Sequence, residues 1–275
     1  MCSSDLYPTG SPTGFLLSAP DPKNWTPPLS VEGREVLPLT GIGSVTSVYC
    51  NESGQWLIYR SDRFGFNNPD SIWDMDRFDV AILGDSFAQG ACAPPDQGSA
   101  AQLRTETPAT VSLGVAGTGP LLQLGVLKEY GPLKRPRRVF WLFYEGNDIH
   151  TNLDLERQFP WLRRYLEPDF SVGLTGLAPE LNRFLRERMD SRGVGGSESE
   201  NVPSWSAYLR TSAQLLNLRN RLGLTSCPRR TQDFDLLAAI FAEGKRTVEN
   251  WGGQLTVVYL PATTGMACDL FSITQ

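Results

Sequence analysis

The chain has 275 residues, of which 40% are hydrophobic, and a formal net charge of -5 at pH 7. This length fits one large domain or one domain with a sizeable insertion, and the hydrophobic content is sufficient for a substantial core. The acidic balance argues against a general nucleic-acid-binding protein, and no apolar stretch approaches the roughly 18 residues of a membrane span.

The amino-terminal part of the chain is predicted to lie outside the main domain. Residues 1–33 are rich in Pro, Gly, Ser and Thr without hydrophobic periodicity, which predicts an extended, disordered arm. Residues 34–76 are predicted as a β-hairpin and a connector, because β-like runs at 44–49 and 55–59 flank a turn-forming segment. The start shows no leader pattern, so the compartment stays open; a leader or anchor upstream of this sequence would indicate an extracytoplasmic or membrane-anchored protein.

The five cysteines show no spacing that is typical of a structural zinc site, so no metal ligands are predicted. Cys50 and Cys92 would form a disulfide if the hairpin lies near the loop that follows residue 86. Two buried free thiols are the alternative.

From residue 77 onward, apolar strands alternate with helical stretches. Buried strands are predicted at 80–83, 109–113, 138–144 and 254–260, with helical stretches from 86 to about 105, at 121–130 and at 233–251. This alternation is typical of a doubly wound α/β domain with a parallel sheet.

Residues from about 150 to 230 break this alternation and are predicted as a helical insertion. Its helices are expected at 177–188 and 205–222, on either side of a glycine-rich segment at 193–200. An insertion on the ligand side of a sheet is either a cap over a pocket or a remote appendage, and the sequence leaves both open.

Small and polar residues follow three of the predicted strands. They form the blocks Gly84-Asp-Ser86, Gly114-Val-Ala-Gly-Thr-Gly119 and Gly146-Asn-Asp148. The blocks are spaced by roughly thirty residues, the length of one βα unit. Because ligands bind at the carboxyl ends of strands in open parallel sheets, we expect the three blocks to meet at one site.

With these three blocks the sequence resembles the SGNH/GDSL hydrolase superfamily, and residues 59–70 look like an uncharacterised bacterial branch of it. The resemblance covers residues 78–148 well and the strand at 254–260 loosely. It implies a flavodoxin-like fold of SGNH type and a serine hydrolase that cleaves or transfers an acyl ester, for example an O-acetyl group on a carbohydrate. The implied partner is a small-molecule or carbohydrate ester, with no cofactor, no metal and no nucleic acid.

The resemblance also assigns roles to individual residues. Ser86 would be the nucleophile, and its own N–H would donate to the oxyanion. Gly117 would offer a second backbone N–H and Asn147 its side-chain amide. The sequence departs from the family pattern at Ser112, where an Asn is common, and at Phe87, where a Leu is usual. Preorganised donors of this kind stabilise the charge that develops on a carbonyl oxygen under attack.

A serine hydroxyl also needs a base, which the family supplies from an Asp-x-x-His block after the last strands. No histidine follows His150, the one histidine of the chain. The sequence therefore predicts a chain truncated before this block and nearly inactive as given. His150 is a candidate substitute base or pocket residue, with an exposed loop histidine as the alternative. Asp85 and Asp148 are further pocket candidates, with turn caps as the alternative.

Two other functions stay open at this point. A non-catalytic binding protein of the same fold would need no base. A nucleotide-binding domain would use the glycine-rich turn Gly114–Gly119 for phosphate and Glu145 for a ribose, although its glycines follow a G-x-x-G-x-G spacing.

Overall fold

The computed structural model describes residues 6–8, 29–31, 33–50, 57–191 and 233–261. The strands in these ranges are β1 (Leu6–Pro8), β2 (Leu29–Val31), β3 (Arg34–Val36), β4 (Thr46–Cys50), β5 (Leu57–Arg60), β6 (Val80–Gly84), β7 (Thr110–Gly114), β8 (Arg138–Tyr144) and β9 (Gln254–Leu260).

The α-helices in the same ranges are α1 (Ser86–Gln89), α2 (Ser99–Arg104), α3 (Pro120–Lys134), α4 (Asp154–Glu156), α5 (Pro160–Arg163), α6 (Ala178–Ser191) and α7 (Phe234–Asn250). Tighter 3-10 turns occur at Asp70–Asp74, Arg164–Leu166 and Leu174–Leu177, and a π-helical turn at Asp148–Leu153. Among the helices of the described part of the chain, none has the length and apolar character needed to cross a bilayer.

Four strands form the central sheet in the order β7-β6-β8-β9, and every neighbouring pair is parallel. Helices flank this sheet, so the predicted α/β class is confirmed. The chain runs outward from β6 to β7 and then returns to β8 on the other side of β6. The carboxyl ends of β6 and β8 therefore border the crevice where such sheets bind ligands.

The two faces of the sheet pack against different helices. Ala81, Leu83 and Trp141 belong to the main apolar cluster, which also holds the buried side chains of α3 and α7. Val80 and Ile82 point the other way and pack with Ala88 of α1 and Ala100 of α2. Because β6 is buried on both faces, an unbroken apolar run was the correct signal for it.

Helix α3 lies in the centre of the molecule and is buried on nearly all sides. Its one buried cation, Lys128, donates to Glu243 of α7 at 2.7 Å and to the carbonyl oxygens of Tyr165 at 2.9 Å and Glu167 at 2.6 Å. All three ammonium protons therefore have acceptors, as a buried charge requires. This pairing fixes α7, and hence β9, against the rest of the sheet.

Strand β9 differs from its prediction as a buried strand. Among the described residues it pairs only with β8, and it is half exposed: Val257 is 38% and Tyr259 48% accessible. An apolar run of this length predicts a strand. It does not indicate whether a second strand or a helix packs against that strand.

The helix predicted from residue 86 to about 105 is in fact two short helices. Helix α1 ends at Gly90, which adopts a left-handed φ of 76°, and α2 begins at Ser99. Pro94 and Pro95 lie between the two helices and prevent a continuous helix. The break allows α1 to be short and to lie directly on the end of the sheet.

The amino-terminal segments pair with one another. Strand β4 pairs antiparallel with β5 and parallel with β1, and β2 pairs antiparallel with β3 across the predicted boundary at residue 33. Part of the predicted arm is therefore strand. The turn of the predicted hairpin, residues 51–56, lies outside the described residues.

The connector after the hairpin belongs to the main core. Phe66 and Trp73 are buried in the apolar cluster of the sheet. The ring of Phe66 stands edge-on to Tyr130 of α3, with centroids 5.0 Å apart. A change in this segment would therefore affect the α/β domain directly.

The described part of the insertion, residues 154–191, packs mainly on α3 and the amino-terminal region. Glu129 of α3 accepts hydrogen bonds from the backbone N–H of Val172 at 2.7 Å and of Leu174 at 2.9 Å. Leu185 of α6 packs with Ile42 and Val45. The predicted helix 205–222 and the segment 193–200 lie outside the described residues, so the capping role stays a prediction.

Candidate active site

Two glycines allow α1 to lie against the ends of the central strands. At Gly84 the φ is 150° and a Cβ would come within 2.8 Å of the Leu142 carbonyl oxygen. At Gly114 a Cβ would come within 2.1 Å of the Gln89 backbone nitrogen. No side chain fits either position without displacing backbone, so glycine is required where β6 and β7 meet α1.

Ser86 is the first residue of α1 and is half-buried. Within the described part of the chain, neither its hydroxyl nor its backbone N–H has a hydrogen-bond partner. The first N–H groups of a helix have no acceptor within the helix, so the Ser86 N–H remains able to donate. The residue thus combines a hydroxyl and an N–H that are both without a partner among the described residues.

Asp85 joins the first block to the third. Its Oδ1 accepts from the backbone N–H of Phe87 at 3.0 Å, and its Oδ2 accepts from the Asn147 side-chain amide at 3.1 Å. Burial raises the pKa of Asp85. The side chain is inaccessible; it caps α1, as the turn-cap alternative has it, and it anchors Asn147.

Asn147 is oriented by this bond. Its Nδ2 faces the Asp85 carboxylate, whereas its Oδ1 is buried and has no partner among the described residues. The reversed amide would put Oδ1 against the carboxylate, so the orientation is chemically determined. One proton of Nδ2 is bonded to Asp85, which leaves the second proton able to donate elsewhere.

Asp148 is a fully buried carboxyl group beneath this arrangement. Its Oδ2 accepts from the Tyr144 backbone N–H at 2.7 Å, and its Oδ1 has no partner among the described residues. Burial, reinforced by the charges of Asp85 and Glu156, raises the pKa of Asp148 to about 8. The raised pKa favours the protonated, uncharged form of this side chain.

The raised pKa of Asp148 makes a prediction for stability. In the unfolded chain this carboxyl loses its proton near its ordinary pKa, but in the folded protein it keeps the proton up to about pH 8. Between these two pKa values the folded state binds more protons than the unfolded chain. The contribution of Asp148 to the free energy of unfolding is therefore present at low pH and decreases as the pH rises from about 4 to about 8. The slope is at most about 1.4 kcal/mol per pH unit.

We expect Asp148→Asn to flatten this pH dependence, because an amide does not titrate. Urea unfolding at pH 5, 7 and 9 measures it for the wild type, for Asp148→Asn and for the control Asp235→Asn, which changes an exposed carboxyl on α7. Equal slopes for the wild type and Asp148→Asn would show that Asp148 titrates normally.

Gly117 lies in the loop that links β7 to α3. It is exposed, has a φ of 74° and would have no atom within 4 Å of an added Cβ. Its N–H has no acceptor among the described residues, whereas the preceding N–H, of Ala116, donates to Gln89 Oε1 at 2.8 Å. Glycine is needed at this position for its left-handed backbone and not for space.

Glu156 is a site residue that sequence reasoning missed. It is buried at the amino end of α3 and accepts hydrogen bonds from the backbone N–H groups of Gly119, Leu121 and Leu122, at 2.5, 3.0 and 3.2 Å. Burial raises the pKa of Glu156 to about 8. Since a phosphate at the amino end of α3 would need these same N–H groups, their bonds to Glu156 argue against the nucleotide-binding alternative.

An aromatic pair lies next to Ser86. Phe87 is 48% exposed, and its ring centroid is 4.8 Å from that of Tyr144, at the end of β8. Gly146 permits this arrangement, because a Cβ there would come within 2.5 Å of the Tyr144 ring. His150 lies in the π-helical turn that follows, but its side chain is outside the described part of the structure, so its role as a base stays a prediction.

Cys92, three residues after the end of α1, is disulfide-bonded. The free-thiol alternative is therefore wrong for Cys92. The side chain of Cys50, its predicted partner, lies outside the described residues, so that pairing stays a prediction. Within the described ranges, no group of three or more His, Cys, Asp or Glu side chains is arranged to hold a metal ion.

The structure thus brings Asp85 and Asn147 into contact and joins the Ser86 helix to the Gly117 loop through Gln89. The chain matches no protein-family model, no curated protein and no solved structure.

Proposed function

We propose that the protein to which this sequence belongs is a serine hydrolase of the SGNH/GDSL type, with a flavodoxin-like fold, that cleaves or transfers an acyl ester. The observation that carries the proposal is the hydrogen bond between Asp85 and Asn147. It joins the first block to the third at the carboxyl ends of β6 and β8, where the strand order reverses. Ligand sites of doubly wound sheets occur at this point.

In the proposed reaction the Ser86 hydroxyl attacks the carbonyl carbon of the ester. A bond forms from Oγ to that carbon while a base takes the hydroxyl proton, and the carbonyl oxygen becomes an oxyanion. The N–H groups of Ser86 and Gly117 and the second amide proton of Asn147 are the proposed donors to it. The alcohol then leaves with a proton, and water or an acceptor alcohol releases the acyl group from Ser86.

Neutral Asp148 supports this chemistry. A charged carboxylate at Asp148, next to Asn147 in the chain, would repel the oxyanion, whereas the raised pKa of Asp148 favours the uncharged form. The exposed ring of Phe87, with the half-buried ring of Tyr144 against it, would offer an apolar surface to an acyl chain or a sugar face. An O-acetyl group on a carbohydrate is the substrate that we propose from the resemblance.

The base is the part of the reaction that the described side chains do not supply, and the test starts there. Where the open reading frame extends beyond Gln275, the test compares the protein from that complete frame with the 275-residue chain. We expect the protein from that complete frame to hydrolyse p-nitrophenyl acetate, and the 275-residue chain to show only the residual rate that an oxyanion site gives without a base. Equal rates of p-nitrophenyl acetate hydrolysis for this protein and its Ser86→Ala variant would contradict the hydrolase proposal.

A non-catalytic binding protein of the same fold is the second candidate. One observation favours it: the Ser86 hydroxyl has no partner among the described residues, so no base is engaged there. The same experiment separates the two candidates, because a binding protein would show no ester hydrolysis from the complete frame either.

A further inference from the structure

Gln89 is a buried polar residue at the carboxyl end of α1, and its side chain is 8% exposed. It contacts three segments that are distant in sequence: β5, the connector after β5 and the loop that carries Gly117. None of the three blocks of the proposed site includes it. Its hydrogen bonds nevertheless determine how those blocks are arranged.

The first of these contacts is to the Gly117 loop. Oε1 of Gln89 accepts from the backbone N–H of Ala116 at 2.8 Å. Ala116 directly precedes Gly117, so this bond holds the peptide that leads into the Gly117 N–H. Ser86 and Gln89 are the two ends of one four-residue helix. Gln89 therefore links the position of the Gly117 N–H to the Ser86 hydroxyl, in addition to the backbone bond from Val115 to Gly84 at 3.1 Å.

The other two contacts hold Gln89 itself in place. Its Nε2 donates to the Tyr59 hydroxyl at 3.3 Å, and its backbone carbonyl accepts from the Asn67 side-chain amide at 3.0 Å. Tyr59 lies in β5 and is buried. The hairpin and the connector therefore support the helix that carries Ser86.

The connector is itself held firmly. Buried Asp62 accepts from the N–H groups of Phe64, Phe66, Asn68 and Trp73, at 3.0, 2.9, 2.9 and 2.7 Å. The Asn68 amide also bonds to both the N–H and the carbonyl oxygen of Ser112 in β7, at 2.8 and 2.9 Å. The connector is thus fixed along β7, the edge strand of the sheet. This holds Asn67 in position to bond to Gln89.

We propose that Gln89 is a positioning residue, which sets the distance between the Gly117 N–H and Ser86. In this proposal β5 and the connector hold Gln89 in place through their hydrogen bonds to it. The proposal rests on the proposed function, in which Gly117 donates to the oxyanion. It goes further by assigning a role to the segment before the α/β domain. A donor that is misplaced by about 1 Å costs about a hundredfold in rate.

The test uses Gln89→Ala, Gln89→Glu and the control Gln102→Ala in the protein from the complete frame. Gln89→Ala removes the acceptor of the Ala116 N–H, so we expect kcat to fall by about 10- to 100-fold with KM changed by less than about 2-fold. Gln89→Glu keeps an acceptor and is expected to restore most of kcat. Gln102 is exposed on α2 and donates to the Asp96 carbonyl oxygen, so its replacement should leave kcat unchanged.

Hydrogen exchange of the Ala116 and Gly117 amides gives a readout that does not depend on catalysis. We expect faster exchange at these two amides in Gln89→Ala, with the melting temperature close to that of Gln102→Ala. If the Ser86→Ala variant keeps the wild-type rate, the proposed function is wrong, but the exchange result still shows whether Gln89 holds the loop. Unchanged exchange at Ala116 and Gly117, or equal kcat in Gln89→Ala and Gln102→Ala, would overturn the inference.

Discussion

Ser86→Ala in the complete protein is expected to lower kcat for ester hydrolysis by about 10⁴-fold or more, the largest effect of any single change that we propose. The substitution removes the oxygen that forms the bond to the acyl carbon. It leaves the helix and the backbone N–H in place, so binding and residual oxyanion stabilisation persist. The rate of p-nitrophenolate release under saturating p-nitrophenyl acetate measures the effect.

The matched control for Ser86→Ala is Ser99→Ala, since Ser99 is also the first residue of a short helix but is exposed on α2. We expect this variant to keep the wild-type kcat. If both serine variants hydrolyse the ester at the wild-type rate, Ser86 is not the nucleophile and is only the first residue of its helix.

Asn147→Ala is expected to lower kcat by about 10²- to 10³-fold, the cost of one oxyanion donor, or about 2.7–4 kcal/mol. The bond to Asp85 fixes the Asn147 amide before substrate arrives, so this donor needs no reorganisation during the reaction. Because the donor acts mainly on the charged oxygen of the transition state, KM should change little. Steady-state kinetics separate the two parameters.

Asn250→Ala is the control for Asn147, because Asn250 is exposed at the end of α7. A loss of rate in Asn147→Ala that appears entirely as an increase in KM would assign Asn147 to substrate binding. Wild-type kcat in Asn147→Ala would remove it from the oxyanion site.

The central strands could be predicted from sequence because their signal is local. The strand at Arg138–Tyr144 has the predicted bounds, and the run of apolar residues before Gly84 correctly indicated a strand buried on both faces. The same signal was wrong about the burial of β9. An apolar sequence shows that a strand is suited to burial. Whether the strand is buried depends on the positions of the other strands and helices.

The contacts within the site were harder to predict, because they join residues that are far apart in sequence. The blocks suggested that Asp85 and Asn147 would lie close together, since both follow parallel strands. Glu156 and Gln89 carry no such signal. Glu156 reaches Gly119 across 37 positions, and Gln89 reaches Ala116 across 27 positions. Single Glu and Gln residues in polar stretches cannot be distinguished from surface residues without the fold.

The assignment of Ser86 as the nucleophile is tested most directly by covalent capture. The complete protein is treated with a fluorophosphonate, which forms a bond from phosphorus to an activated serine oxygen and releases fluoride, and its peptides are then mapped by mass spectrometry. We predict that the adduct lies on Ser86 and is lost in Ser86→Ala. An active esterase whose adduct lies on another residue, or that hydrolyses esters without any adduct on Ser86, would contradict this account.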